Sequence, residues 1–227
     1  MKILAFDTSS DILSAALFEN DRKVAGLSVG ARRAVPLRSR HSEALWEAFE
    51  SLLKKSKWKA SQIDAVAVGL GPGSFTGLRV GVTAAKVMVF SLGAKIVGVS
   101  SLAAMAWPHL DRDNAVAAVL DARKGDVYGA VYKRTGGWPK EIIKPCLMNA
   151  NAFIDQIPKN TFIVGRGSTI VGAHSCAPLQ TAYPSADSVA TLAYHRLKIK
   201  KIDDPMTLQP TYLHAKDCNV TLPGKKS

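Results

Sequence analysis

A short apolar run from Ile63 to Leu70 leads into Gly71-Pro72-Gly73-Ser74-Phe75-Thr76-Gly77, and a segment apolar on nearly every side follows, from about Thr76 to Leu92. This order dictates a buried strand, a sharp turn and a helix covered on more than one side. Backbone N–H groups at such a turn can bind phosphate. The familiar versions do not fit, because Gly77 is followed by Leu78 and Arg79 instead of the Lys of a P-loop, and Pro72 stands where a nucleophile elbow needs glycine before Ser74. The structural alternative is a tight turn with Ser74 or Thr76 as N-cap, in which Gly77, Gly81, Ala84 and Ala85 let another helix approach closely.

The segments Lys2 to Thr8, Leu13 to Phe18 and Lys23 to Val29, separated by turn-prone residues, predict three consecutive strands. Residues 30 to 40 read as a basic loop, and a helix begins near His41 or Ser42 with Leu45, Phe49, Leu52 and Leu53 on one stripe that Trp46 widens. A strand at Lys95 to Val99 and a short helix ended by Pro108 follow. Beyond Asp111 the pattern predicts a hairpin from Ala115 to Leu120 and Val127 to Tyr132, a strand at Thr161 to Val164, and a helix from Ala186 to Leu197. No internal sequence repeat is visible. These elements give an N-terminal α/β domain at 1–105, a smaller α/β domain at 106–202 and an irregular basic tail at 203–227.

With 47% hydrophobic and 21% charged residues among 227, the composition excludes a disordered chain, and no segment approaches the run of about 18 apolar residues that spans a bilayer. Three scattered cysteines without a CxxC pair argue against a disulfide framework and for a reducing, cytoplasmic setting. The five histidines form no HxH, HxxxH or HExxH pair, which disfavours a metalloenzyme, and no nucleophile stands beside a base as a protease requires. Of the net charge of +12, residues 22–59 carry +7 and residues 196–227 carry +4, a distribution able to steer an anionic partner. Asp7-Thr8-Ser9-Ser10 closes the first strand, where Asp and hydroxyls either meet a metal-bound nucleotide or stabilise a turn. Asp121 and Asp126 read as hairpin-turn charges with no catalytic role.

Four blocks together resemble the TsaB family, also called YeaZ: Phe6-Asp7-Thr8-Ser9-Ser10, His41-Ser42-Glu43-Ala44-Leu45, Gly71 to Gly81, and Asp121-Ala122-Arg123-Lys124-Gly125-Asp126-Val127-Tyr128. Weaker echoes at Gly165-Arg166-Gly167 and Pro210-Thr211-Tyr212-Leu213 extend the likeness over nearly the whole chain. The resemblance implies the actin-like, Hsp70-like ATPase (ASKHA) fold of two related α/β halves. It also implies a non-catalytic partner of TsaD which, with TsaE, serves the formation of N6-threonylcarbamoyladenosine at position 37 of tRNAs reading codons that start with A. In the family two helices of the first half pack against their equivalents in TsaD. Carried onto this sequence, the interface is expected at Leu45, Phe49, Leu52, Leu53, Leu78, Val82, Ala85 and Val89, with a homodimer when the protein is alone. Asp7, Thr8 and Ser9 are candidates for a vestigial phosphate site, and ATP or ADP with magnesium is expected at the partner subunits. Arg32, Arg33, Arg38 and Arg40 exceed the family pattern and are candidates for tRNA contact. The rivals are an active nucleotide-dependent transferase of the same fold and a stand-alone tRNA-binding module.

Overall fold

The computed structural model describes residues 1–30, 41–110, 115–167, 179–180 and 182–213. Strands β1 (Lys2–Asp7), β2 (Ile12–Glu19) and β3 (Arg22–Gly30) form an antiparallel meander, and β4 (Ala65–Gly69) and β5 (Lys95–Val99) add in parallel beyond β1. The resulting order is β3-β2-β1-β4-β5. Between the strands run α1 (His41–Ser56) and α2 (Phe75–Leu92), and α3 (Ser101–Ala106) follows β5. β6 (Val116–Arg123), β7 (Asp126–Thr135), β8 (Trp138–Asn149), β9 (Phe162–Val164) and β10 (Leu179–Gln180) build a second sheet, with α4 (Ala150–Ile154) between β8 and β9, and α5 (Ala186–Lys198) comes after it. Read from β8, that sheet has the order β8-β7-β6-β9-β10, again a meander with two parallel strands beyond its first member. The same topology is thus written twice in a chain without a sequence repeat.

In the first sheet the pleat sorts side chains by parity. Leu4, Phe6, Leu13, Ala15, Leu17, Val66, Val68 and Ile96 share a core with α1 and α2. Their neighbours Ile3, Ala5, Ala16, Ala67 and Val97 are equally buried, and α5 packs on β1, β2 and β5 with Val189, Ala190 and Ala193 buried. The central strands are near-continuously apolar because both faces are covered. α5 starts where Ser185 accepts from the Ser188 N–H, and the Ala186 N–H donates to Ser14 Oγ at 2.9 Å. In the second unit Ala117, Val119, Val127, Val131, Ile143, Cys146 and Ile163 pack with Ala150 and Phe153 of α4.

Two expectations need correction. Met1–Ala104 and Pro184–Thr211 form one compact unit, so α5 and the segment after it as far as Thr211 belong with the first sheet, not to a domain at 106–202 followed by an irregular tail. The reason is the sheet's uncovered face and its edge. Asp203 makes an antiparallel bridge to Ile96, its N–H donating to the Ile96 carbonyl at 3.0 Å. Its carboxylate accepts from the Gly98 N–H at 2.8 Å and pairs with Arg196 at 2.9 Å, while Arg196 donates to the Gly98 carbonyl. Residues 214–227 lie outside the described residues. The second correction concerns α2, which is long and apolar enough to cross a membrane by length and composition, although nearly half of it is buried inside the protein. A core helix passes that test too.

Asp203→Ala would strand both the Arg196 guanidinium and the Gly98 N–H at the sheet edge. The expected cost is about 1–3 kcal/mol, read as a lowered urea midpoint; an unchanged midpoint would show that the strap does not belong to the cooperative unit.

Candidate functional site

The turn after β1 is buried, with Asp7, Thr8 and Ser9 at 0%, 1% and 2% exposure. Asp7 Oδ1 accepts from the Ser9 N–H at 2.8 Å and the Ser9 hydroxyl at 2.6 Å, and its Oδ2 accepts from the Ser101 hydroxyl at 2.6 Å. Ser101 Oγ in turn accepts from the Gly71 N–H at 3.0 Å. Thr8 donates its hydroxyl proton to the Gly77 carbonyl at 2.7 Å, and the Ser74 N–H donates to the Ser9 carbonyl at 2.7 Å. The hydroxyl protons of Thr8, Ser9 and Ser101 and both Asp7 carboxylate oxygens are therefore engaged within the chain, joining the end of β1 to the turn before α2 and the start of α3. Burial raises the Asp7 pKa above its ordinary value, against the opposing pull of the Ser101 and Ser9 hydrogen bonds.

The glycines of the specific block have their explanation in the same contact. A Cβ at Gly73 would overlap the Ser9 carbonyl, one at Gly77 the Thr8 carbonyl, and one at Gly81 the Thr8 hydroxyl. Gly77 and Gly81, four residues apart, share one side of α2 and lay it on the turn, while Gly73 brings the extended segment before the N-cap equally close. The expectation that Gly77 and Gly81 admit another helix is corrected: they admit this turn. Ser74 is the N-cap, accepting from the Gly77 N–H at 3.2 Å, and Gly93 closes the helix in the left-handed conformation at φ 65°.

The eight expected interface residues lie elsewhere than foreseen. Leu45, Phe49, Leu52, Leu78, Val82, Ala85 and Val89 are buried in the protein's own core, and Leu53 is partly buried against it. Periodicity finds the apolar stripe of a helix, and here the sheet takes that stripe. What α2 turns outward is Phe75, Arg79, Thr83, Val87 and Phe90, a line at spacings of four and three along the whole helix. Phe75, Val87 and Phe90 are 54%, 49% and 60% exposed, and the Arg79 guanidinium lies 3.9 Å from the Phe75 ring centroid. On α1 the exposed aromatic is Trp46, edge-on to Phe49 at 6.3 Å, amid exposed Glu43, Glu47 and Glu50. The signal for this face was present in a helix apolar almost all round.

Arg32, Arg33, Arg38 and Arg40 lie outside the described residues. Among the described residues, no group of three or more His, Cys, Asp or Glu side chains gathers to hold a metal. Asp121 accepts from the Arg123 N–H at 2.6 Å across a hairpin turn where Arg123 and Lys124 take φ of 72° and 55°.

Two predictions follow from this geometry. Gly77→Ala meets a backbone carbonyl and Gly81→Ala a side-chain hydroxyl, each costing about 1–3 kcal/mol by overpacking. Adding Thr8→Ala should relieve the second and not the first, which a double-mutant cycle reads directly. Because the folded pKa of Asp7 lies above the unfolded value, its stabilisation is full below the unfolded value and is lost as pH rises through the folded one. Wild type should therefore gain stability relative to Asp7→Asn as pH falls from about 7 to about 4, with the opposite trend in urea midpoints refuting the assignment.

A family model described as TsaD, tRNA N6-adenosine threonylcarbamoyltransferase, matches residues 36–194. The tRNA threonylcarbamoyladenosine biosynthesis protein TsaB of Escherichia coli is 29% identical over 240 aligned residues that span 100% of both chains. Its Bacillus subtilis namesake is 35% identical over 143 residues, 63% of this chain and 60% of that one. Among solved structures, YeaZ from Pseudomonas aeruginosa matches with a TM-score of 0.80 at 25% identity, over 93% of this chain and 99% of that one. The twice-written sheet order is that of the actin-like, Hsp70-like ATPase (ASKHA) fold. With the Phe6–Ser10 and Gly71–Gly81 blocks explained by packing around one turn, and with the curated relatives and the solved structure in agreement, the chain belongs to the TsaB (YeaZ) family.

Proposed function

We propose that this protein is a non-catalytic, cytoplasmic partner subunit in the formation of N6-threonylcarbamoyladenosine at position 37 of tRNAs reading codons that start with A. It docks the catalytic paralogue TsaD through the outward side of α1 and α2, within an assembly that also uses TsaE, and pairs with a second copy through the same side when alone. The nucleotide and its magnesium belong to the partner subunits in this reading. The observation that carries it is the exposed line Phe75, Val87 and Phe90 on α2 with Trp46 on α1, aromatic and aliphatic anchors of the kind that dominate interface energies. Family membership supplies the reaction. The inward engagement of Asp7, Thr8 and Ser9 supports a structural use of the turn over phosphate chemistry.

The test mixes the protein with its catalytic paralogue and follows the complex by size-exclusion chromatography with light scattering. Val87→Glu with Phe90→Glu should weaken the complex by at least about 30-fold while the variant stays folded. Leu45→Glu with Val82→Glu would instead unfold the protein, both residues being core. Retained complex in the outward double variant would refute the docking side, and magnesium-dependent ATP turnover by the isolated protein would favour an active transferase.

A further inference from the structure

The second unit carries a surface that the docking reading leaves unused. β7 and β8 turn at Gly136 and Gly137, with φ of 58° and 79° and open space where side chains would stand. In the register of the hairpin, Lys133 faces Lys140 and Thr135 faces Trp138. Alternation puts Lys133 and Thr135 on one side of β7 and Trp138 and Lys140 on the matching side of β8, so two ammonium groups and an indole share one side of the hairpin end. Lys133 and Lys140 are exposed, and Trp138 is 37% exposed. Arg134, on the other side, sits 5.3 Å from the Trp107 ring centroid and ties the hairpin to its own unit.

Directly opposed like charges destabilise a strand pair. Among the described residues neither Lys133 nor Lys140 has an acidic side chain within salt-bridge distance. From 133 to 144 the sequence has four basic residues and one acidic, Glu141, whose register partner is Tyr132. A polyanion removes this repulsion, and a protein partner is a poor fit because interface cores are depleted in lysine. Two cations beside an aromatic ring are the elements of single-stranded nucleic-acid recognition, where cations take phosphates and the ring stacks an unpaired base.

We infer that Lys133, Trp138 and Lys140 form an RNA-contacting side of the β7–β8 hairpin, the lysines on tRNA phosphates and the indole against an unpaired base. This rests on the reading of the chain as part of a tRNA-modifying assembly, and it locates tRNA contact on residues distinct from the basic segment that the sequence alone singles out.

Fluorescence anisotropy with a transcribed tRNA, over a series of salt concentrations, tests it for the isolated protein and for its mixture with the catalytic paralogue. Lys133→Glu with Lys140→Glu should lower affinity about tenfold or more near 0.1 M salt and flatten the slope of log K against log salt by about 1.5. Trp138→Ala should lower affinity about fivefold or more with the slope retained, and Lys133→Arg with Lys140→Arg should preserve both. Affinity and slope unchanged in all variants, with urea midpoints showing each folded, would overturn the inference. So would unchanged tRNA binding alongside lost association with the paralogue, which would make the hairpin a protein contact. Light scattering of the wild-type mixture reports docking separately: absence of any complex refutes the docking reading, while the isolated protein's salt series still decides this one.

Discussion

α2 and the segment leading into it rest on the turn after β1 through three glycines that leave no room for a Cβ, Gly73 before the helix and Gly77 and Gly81 within it, and the arrangement of the first unit follows from that contact. With Gly73, Gly77 and Gly81 pressed on Thr8 and Ser9, the rotation of the helix about its axis is set. Val82, Ala85 and Val89 must then point into the sheet. The side carrying Phe75, Val87 and Phe90 must point away. The exposed line is thus a geometric consequence of the buried one, since at 3.6 residues per turn a helix cannot hide every side against a single sheet. The specific block of sequence and the proposed docking side are two views of one constraint.

Buried polar groups show the same economy of partners. The Asp7 carboxylate is costly to bury, and its three hydrogen-bond donors connect β1, the turn before α2 and α3 in a single network. At the far edge of the sheet, β5 has no strand beyond it among the described residues except the one-residue bridge at Asp203. There Asp203 and Arg196 satisfy the N–H and carbonyl of Gly98 as a neighbouring strand would, so side chains complete an edge that backbone leaves open.

The sequence made the local elements of the first unit readable, because Ile63 to Leu70, the α1 stripe and the cap at Ser185 each carry their own periodicity or stop signal. It left β8 unread: Pro139 and Pro145 interrupt the alternation, and they are tolerated because β8 is an edge strand. The return of α5 to the first sheet was equally hidden, since an amphipathic helix names the kind of surface it needs and not which sheet provides it. For the same reason Leu45, Phe49 and Val82 were readable as apolar positions, while their assignment to a partner was not. The repeated sheet order leaves no trace in residue identity, because a pleated topology asks only for pattern.

Chain order adds a consequence for how the protein is made. The five strands of the first sheet are complete at Val99, but the helix that covers their second face spans Ala186–Lys198. At about 5–20 residues per second, a ribosome takes roughly 5–20 s to make the stretch between them. Throughout that interval Ile3, Ala5, Ala16 and Val97 lack their cover, while the strands of the second unit are already being supplied. The first sheet is therefore completed only after the strands of the second have been made, and a nascent chain must keep an apolar sheet face from competing partners until α5 emerges.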